Sequence, residues 1–282
     1  MALYRGYDKA GLDAQYFLRA RVPNYAEYFR RWKDESAAVR RARPCRLDLA
    51  YDVEALDLFP AGTRMAPCLL FIHGGYWQAL DKSDFSYLVP AFQDAGVAVA
   101  VLNYTLAPKA KMDEIVRQNR AAVAWLHRNA GAYGIDPGRL HVAGHSAGGH
   151  LTAMILATDW AGLGLDHHPV RGACAISGLY DLEPIRLCYL NEVLGLDAAA
   201  AERNSPLRHL PRHSPPLILS VGTGETDEFL RQQAEFATAW RGAGLALEIA
   251  DQPGDHHFEV IDRLGQPGTP LHQAVMRQIS GA

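Results

Sequence analysis

The 282-residue chain lacks the features that mark several large classes of protein. It has no run of 18 apolar residues, so no membrane-spanning helix is predicted. The first eight residues, MALYRGYD, contain no apolar stretch of the kind found in a secretory signal, and we therefore expect none. Its 25 glycines and 16 prolines are too few for a collagen-like or low-complexity chain. These absences favour a folded, globular protein with no membrane partner.

Cysteine is scarce, and its spacing indicates neither a disulfide framework nor a metal site. The four cysteines form no C-x-x-C pair, and the twelve histidines form no H-E-x-x-H motif. Cys68 and Cys174 lie within apolar, strand-like runs, as is typical of free thiols in a reducing compartment. We therefore expect a cytoplasmic protein with no metal ion.

Positive charge is concentrated near the start of the chain. The whole chain has 28 Lys and Arg against 31 Asp and Glu, yet residues 1–46 hold eleven basic and five acidic residues. A basic segment of this kind can contact nucleic acid or an anionic surface, but no nucleic-acid-binding motif accompanies it. A solvated amphipathic helix is the simpler interpretation, so we expect no nucleic-acid partner.

Apolar runs and helical patterns alternate through most of the chain. The apolar runs are residues 68–72, 97–102, 140–143, 172–176 and 217–221. Such continuous runs are typical of strands that are buried on both faces of a parallel sheet. Helical periodicity lies between them, at residues 111–128, 146–157 and 227–241. The alternation predicts an open α/β sheet with right-handed crossovers.

Two segments fall outside this alternation. Residues 12–43 have a helical pattern, and residues 46–51 and 56–59 alternate as two half-buried strands of a hairpin do. Residues from about 180 to 214 are irregular and rich in Pro, Leu and Arg, which we interpret as a lid-like insertion. We therefore predict a single domain over residues 1–282, with an N-terminal helical segment over about 1–45.

The sequence GHSAG at residues 144–148 matches the G-x-S-x-G pattern. It follows one predicted strand and precedes a predicted helix, which is the setting that a nucleophile elbow requires. The small neighbours allow a sharp turn that exposes the Ser146 hydroxyl at the start of the helix. The pattern therefore predicts that Ser146 is a nucleophile.

A second glycine motif follows the strand predicted at residues 68–72. A serine nucleophile needs hydrogen-bond donors for the oxyanion of its tetrahedral intermediate. Glycines let backbone N–H groups face a ligand with no side chain in the way. We therefore predict an oxyanion hole made by the amides of Gly74, Gly75 and Ala147.

The side chains around these glycines have more than one interpretation. His73 precedes them, and we expect it to fix the loop by hydrogen bonds rather than to act as a base. Tyr76 and Trp77 follow them and either form the aromatic wall of a substrate pocket or only pack the loop. The residues themselves leave both alternatives open.

A serine nucleophile also needs a base and an acid that orients it, and in this strand–turn–helix arrangement they follow in the order Ser, acid, His. Carboxylates follow the strand predicted at 217–221, and a histidine pair follows a last strand predicted at 246–250. The candidates are Glu225, Asp227 and Glu228 for the acid and His256 and His257 for the base. Carboxylates at the start of a helix are often only caps, so position alone does not choose among them.

Together these motifs resemble the arylformamidase (kynurenine formamidase) branch of the α/β-hydrolases. The main motifs are HGGYW at 73–77, GHSAG at 144–148 and HFE at 257–259. Further similar stretches are residues 16–23, 103–108, 177–184 and 228–232. The resemblance covers nearly the whole chain. It implies the α/β-hydrolase fold, with a mostly parallel central sheet, helices on both faces and a small lid insertion.

The resemblance also implies particular roles for the acid and the base. In this family the acid lies four residues before a phenylalanine, which here is Phe229, and this implies Glu225. The family acid is often Asp, so Glu225 is a departure from the pattern, and Asp227 stays open as the alternative. The family base directly precedes a second phenylalanine, which implies His257.

The activity that the resemblance implies is hydrolysis through an acyl-enzyme on Ser146. An arylformamidase of tryptophan catabolism would convert N-formylkynurenine and water to kynurenine and formate, without a metal or organic cofactor. A carboxylesterase for small-acyl or aryl esters is the first alternative, because the same residues serve both reactions. A non-catalytic ligand-binding protein of the same fold is the second. We expect a small aromatic formamide or ester as the partner, and a homodimer remains an open alternative.

Overall fold

Eight strands form one twisted sheet in the computed structural model, which describes residues 2–281. The strands are β1 (Arg46–Ala50), β2 (Ala55–Phe59), β3 (Ala66–Ile72), β4 (Ala98–Leu102), β5 (Ile135–His145), β6 (Val170–Ile176), β7 (Leu217–Ser220) and β8 (Leu247–Ile249). Their order across the sheet is β1-β2-β4-β3-β5-β6-β7-β8. The β1–β2 and β2–β4 pairs are antiparallel, and all other pairs are parallel. The predicted mostly parallel sheet is confirmed.

Burial along the strands follows their place in the sheet. Every residue of β3, β4 and β7 is buried, because helices cover both faces of the central sheet. Strand β1 is largely exposed because it forms the edge next to its hairpin partner. The continuous apolar runs therefore correspond to central strands. Of the two alternating runs, β1 is an edge strand, but the prediction of a half-buried strand is wrong for β2, which lies between β1 and β4 and is almost wholly buried.

Helices surround the sheet and join most of its strands. They are α1 (Lys9–Tyr16), α2 (Leu18–Arg21), α3 (Tyr25–Ala42), α4 (Val89–Gln93), α5 (Met112–Asn129), α6 (Ala147–Leu156), α7 (Glu183–Leu187), α8 (Asn191–Leu194), α9 (Ala198–Arg203), α10 (Asp227–Gly242) and α11 (Pro270–Ser280). No helix within residues 2–281 has the length and apolar character that crossing a bilayer requires.

The N-terminal segment, which has a helical pattern over 12–43, forms the three helices α1, α2 and α3, which are separated by a turn at Phe17 and by residues 22–24. Its apolar side chains pack on the rest of the domain, and most of its basic side chains are exposed. The indole N–H of Trp32 donates to Asp262 at 2.9 Å, and the Tyr16 hydroxyl donates to Glu228 at 2.9 Å. Both aromatic side chains are fully buried. The segment is therefore attached to the C-terminal half of the domain by buried polar contacts.

The insertion predicted over about 180–214 contains the three short helices α7, α8 and α9 between β6 and β7. It contacts the N-terminal segment at Tyr189. The backbone amide of Tyr189 donates to Asp13 at 2.7 Å, and its hydroxyl donates to the carbonyl of Tyr16 at 3.3 Å. The first and the most irregular parts of the chain therefore meet on one side of the sheet.

Candidate active site

Ser146 lies at the turn between β5 and α6 with strained backbone angles, φ 58° and ψ −116°. A residue other than glycine in this region costs about 1–3 kcal/mol and persists only where its surroundings hold it. Here the Ser146 amide donates to the carbonyl of Ile176 at 2.8 Å, which fixes the turn to the neighbouring strand. The side chain is consequently held at the N-terminus of α6.

Glycines on both sides of Ser146 allow the turn to pack against the strands. A Cβ atom on Gly144 would lie 2.1 Å from the carbonyl oxygen of Gly148, and one on Gly148 would lie 2.0 Å from that of Ile72. Real Cβ atoms do not approach a backbone oxygen so closely, so only glycine fits at either position. The G-x-S-x-G spacing follows from this contact between the helix start and the adjoining strand.

His257 and Glu225 form a buried pair. The Nδ1 atom of His257 lies 2.5 Å from Oε2 of Glu225, and their side chains are 4% and 0% exposed. The other carboxylate oxygen accepts hydrogen bonds from the Ser177 hydroxyl at 2.5 Å and from the Gly222 amide at 3.1 Å. Both oxygens of Glu225 are thus bonded, and the orientation of the imidazole is fixed through its Nδ1 atom.

The other acid and base candidates lie elsewhere. Asp227 is exposed at the first position of α10, and the carboxylate of Glu228 bonds to Tyr16 and, at 2.7 Å, to Arg231. His256 faces Glu259, with its Nε2 3.6 Å from the carboxylate. Of the residues that the sequence left open, the structure therefore brings together Glu225 and His257.

Ser146 and His257 line the same cavity. Within residues 2–281 no hydrogen bond joins the two side chains, and Nε2 of His257 has no hydrogen-bond partner. The ring of His145 packs on His257 with centroids 4.6 Å apart, and its Nε2 bonds to the His257 carbonyl at 3.0 Å. Burial lowers the pKa of His145 well below its ordinary value, so this ring is neutral and adds no positive charge beside His257.

The Gly74–Gly75 turn lies beside Ser146. A Cβ atom on Gly74 would be 3.1 Å from the Cβ of Ser146. Gly75 lines the cavity with φ +99°, and a Cβ there would lie 2.1 Å from the carbonyl oxygen of Ala79. In the described part of the chain, the amides of Gly74, Gly75 and Ala147 make no hydrogen bond to another protein group. These N–H groups are therefore free to bind an anionic oxygen.

The cavity has a volume of ≈ 350 Å³ and is bounded largely by aromatic rings. The aromatic lining residues are Phe17, Phe29, Trp32, Tyr76, Tyr189 and Phe258. Three of them come from the N-terminal segment and one from the insertion between β6 and β7. A volume of this order matches small-ligand sites and accommodates one aromatic ring with a short substituent.

The two aromatic residues that follow the glycine turn have different surroundings. Tyr76 lines the cavity, and its hydroxyl donates to the carbonyl of Tyr16 at 2.9 Å. Trp77 is 0% exposed, and its indole N–H donates to His150 at 3.2 Å. The structure thus favours a pocket wall at Tyr76 and loop packing at Trp77.

His73 contacts the glycine turn through its Nδ1, which lies 2.8 Å from the carbonyl oxygen of Gly74. Its ring stacks on Tyr104 with centroids 4.4 Å apart, and its Nε2 lies 3.3 Å from the side-chain oxygen of Asn103. Burial lowers the pKa of His73, which keeps the ring neutral. These contacts agree with the expected structural role.

Comparison with known proteins extends these observations. A family model described as BD-FAE matches residues 56–168. The kynurenine formamidase of Danio rerio is 34% identical over 258 residues, which are 88% of this chain and 86% of the fish protein. The chain belongs to the kynurenine formamidase family of α/β-hydrolases.

Two solved structures share the fold. A Silicibacter sp. TM1040 protein named as a thioesterase candidate is 34% identical, with a TM-score of 0.82 over 94% of this chain and 98% of that chain. An esterase from Pyrobaculum calidifontis is 18% identical and shares the fold, with a TM-score of 0.71 over 94% of this chain and 97% of that chain. This chain is therefore a hydrolase with the α/β-hydrolase fold, as the sequence predicted.

Some residues of the hydrolase site were not identified from the sequence. Ser177 directly follows β6, and its hydroxyl holds Glu225. Ser177 could have been predicted as a site residue, because it lies at the carboxyl end of a strand next to β7. Phe17, Phe29 and Trp32 of the N-terminal segment carry no such signal, because no local motif relates them to the strand ends.

The described residues offer no evident place for a metal ion. Within residues 2–281, no group of three or more His, Cys, Asp and Glu side chains lies close enough to hold one. Cys68, Cys174 and Cys188 are buried free thiols, and burial raises the pKa of Cys68 and of Cys188 to about 12. Such thiols stay protonated and do not act as nucleophiles or metal ligands at neutral pH.

Proposed function

We propose that this hydrolase is an arylformamidase that cleaves N-formylkynurenine or a related N-formyl arylamine to the free amine and formate. The observation that carries the proposal is the aromatic cavity of ≈ 350 Å³ into which Ser146 and His257 open. An aromatic ring packs favourably against such walls. The similarity to the Danio rerio kynurenine formamidase over most of both chains supports the same substrate.

The proposed reaction begins with Ser146. Its hydroxyl oxygen attacks the formyl carbon, and Nε2 of His257 takes the hydroxyl proton. Glu225 keeps His257 in the tautomer that has its proton on Nδ1 and stabilises the imidazolium that forms. The free amides of Gly74, Gly75 and Ala147 stabilise the oxyanion of the tetrahedral intermediate.

The second half of the reaction regenerates the enzyme. The imidazolium of His257 gives its proton to the departing arylamine nitrogen, which leaves a formyl ester on Ser146. Water then attacks this ester with His257 as base, so that formate is released and the hydroxyl of Ser146 is restored. In this mechanism the carbonyl is activated by backbone amides alone, so no cofactor enters it.

The four free cysteines favour a reducing compartment, and we propose the cytoplasm.

A direct comparison of substrates tests this proposal. We expect the purified protein to hydrolyse N-formylkynurenine with a kcat/KM higher than that for phenyl acetate, although the ester is chemically the easier substrate. Thioesters of acetate serve as a third substrate class because of the thioesterase-candidate neighbour. A large preference for either ester class would make the protein a carboxylesterase or a thioesterase. Absence of turnover and of labelling by a serine-directed fluorophosphonate would leave a ligand-binding protein.

Replacement of Gly75 by alanine tests the proposed oxyanion hole. The new Cβ meets the Ala79 carbonyl oxygen, so the turn must shift and its amide moves away from the reacting oxygen. We expect kcat to fall by about 10²- to 10³-fold, as for loss of one oxyanion donor. Gly96→Ala is the matched control, because Gly96 has a similar positive φ of +77° with nothing within 4 Å of the added atom. Equal rates for the two variants would contradict the proposed hole.

A further inference from the structure

Arg19, on α2, carries the one permanent charge among the residues that line the cavity. Within residues 2–281 no Asp or Glu lines it, and the buried carboxylate of Glu225 is bonded to His257 outside the lining. A guanidinium group keeps its charge at every pH at which proteins are studied. The described walls of the cavity thus present a fixed positive charge with no negative charge beside it.

The guanidinium of Arg19 rests on aromatic rings rather than on a carboxylate. Its central carbon lies 5.2 Å from the ring centroid of Tyr25 and 5.9 Å from that of Phe29. Within residues 2–281 it forms no ion pair, whereas Arg21 on the same helix lies outside the cavity lining. Cation–π contacts hold a guanidinium in place and leave its N–H groups available. The side chain is therefore positioned without being neutralised.

We propose that Arg19 is an anion-binding subsite that selects substrates carrying a carboxylate at the end remote from the scissile bond. The inference rests on the proposed function, which places the reacting carbonyl at Ser146. A carboxylate accepts two parallel hydrogen bonds from a guanidinium, which makes arginine the suited residue. Arg19 is therefore the residue that would distinguish N-formyl arylamines with an acidic ring substituent from neutral ones.

The position of Arg19 fits this class. Phe29 both lines the cavity and supports the guanidinium, so an aromatic ring held against the walls has the positive charge at its edge. Because Arg19 is exposed to solvent, mobile ions screen its attraction for an anion. We therefore expect the preference for an acidic substrate to weaken as the salt concentration rises.

Two matched formamides test the subsite. One is 4-(2-formamidophenyl)-4-oxobutanoate, which carries a carboxylate, and the other is 2′-formamidoacetophenone, which is neutral. We expect the wild-type protein to prefer the acid in kcat/KM by about 10- to 100-fold, the range for a hydrogen bond to a charged group, and chiefly through KM. In Arg19→Gln this ratio falls towards one, and in Arg19→Lys it is intermediate.

The control is Arg21→Gln, which removes the same charge from the same helix outside the cavity and leaves the ratio unchanged. The inference is overturned if the wild type shows no preference for the acid, or if Arg19→Gln lowers the two rates equally, as a purely structural role would.

Failure of the proposed function is separate from both outcomes. If formamides are not cleaved, the ratio is measured with 4-acetoxybenzoate and phenyl acetate. If no substrate is turned over, titration calorimetry measures the affinity of the wild type and of Arg19→Gln for 4-(2-aminophenyl)-4-oxobutanoate. Weaker binding to Arg19→Gln is expected, and equal affinities would overturn the inference.

Discussion

Replacing Ser146 with alanine is expected to lower kcat on any formamide or ester substrate by about 10⁴- to 10⁶-fold. The variant loses the oxygen that forms the acyl-enzyme but keeps the free amides of the glycine turn. The residual rate therefore comes from water that attacks a substrate bound in an intact oxyanion hole. The measurements are steady-state rates and mass-spectrometric detection of a fluorophosphonate adduct. We expect the adduct on the wild type and not on Ser146→Ala.

The Ser146→Ala variant is expected to fold, which makes the loss of activity interpretable. Alanine has the same backbone restriction as serine at φ 58°, so the strain at the turn does not change. The amide that binds the Ile176 carbonyl is also retained. Ser214→Ala is the control, because within residues 2–281 the Ser214 hydroxyl bonds only to the carbonyl of Pro215, far along the chain from the elbow. A Ser146→Ala rate within tenfold of the control would end the nucleophile assignment.

Glu225→Gln is expected to lower kcat by about 10³- to 10⁴-fold. The substitution keeps the volume of the side chain but removes the charge that stabilises the imidazolium of His257. It also places an amide group where the Nδ1 proton now finds a carboxylate oxygen at 2.5 Å, so the ring adopts the other tautomer or turns. In either case Nε2 is no longer available as the base.

Asp227→Asn is the matched control for the acid. Asp227 lies two positions further on, is also a carboxylate at the start of α10, and is exposed rather than paired with the imidazole. We expect its kcat to stay within about twofold of the wild type, since exposed substitutions away from the site have small effects. If Asp227→Asn abolishes turnover while Glu225→Gln does not, the acid has been assigned to the wrong residue.

The residues of the candidate site could be located from the sequence because most of them have a fixed place relative to a strand end. The Gly74 turn follows β3, Ser146 follows β5 and Glu225 follows β7, and parallel strands bring their carboxyl ends to one edge of the sheet. The choice of Glu225 over Asp227 came from the resemblance and not from the pattern. Two carboxylates near the start of one helix look alike until the position of the imidazole is known.

The walls of the cavity could not be predicted, because they depend on contacts between distant parts of the chain. The helical pattern over 12–43 gave no position for the first break, at which the chain turns at Phe17 with backbone angles φ −83° and ψ 67°. Neither glycine nor proline occupies that position, so the sequence carries no local sign of the break. The turn lets Phe17 and Leu18 reach the cavity. Trp32 is held by Asp262, 230 positions away, which no local pattern encodes.

The N-terminal segment and the strand ends of the sheet contribute different parts of the candidate site. The elbow and the glycine turn follow strands of the sheet, whereas Phe17, Arg19 and Phe29 belong to the N-terminal segment that precedes the first strand, with Phe17 at the turn between α1 and α2. We expect a change in this segment to alter which molecules fit, because the strained turn at Ser146 lies in another part of the chain. Variants within residues 17–32 are therefore expected to change selectivity at one part of the wall, while Tyr76, Tyr189 and Phe258 form the rest of the aromatic lining.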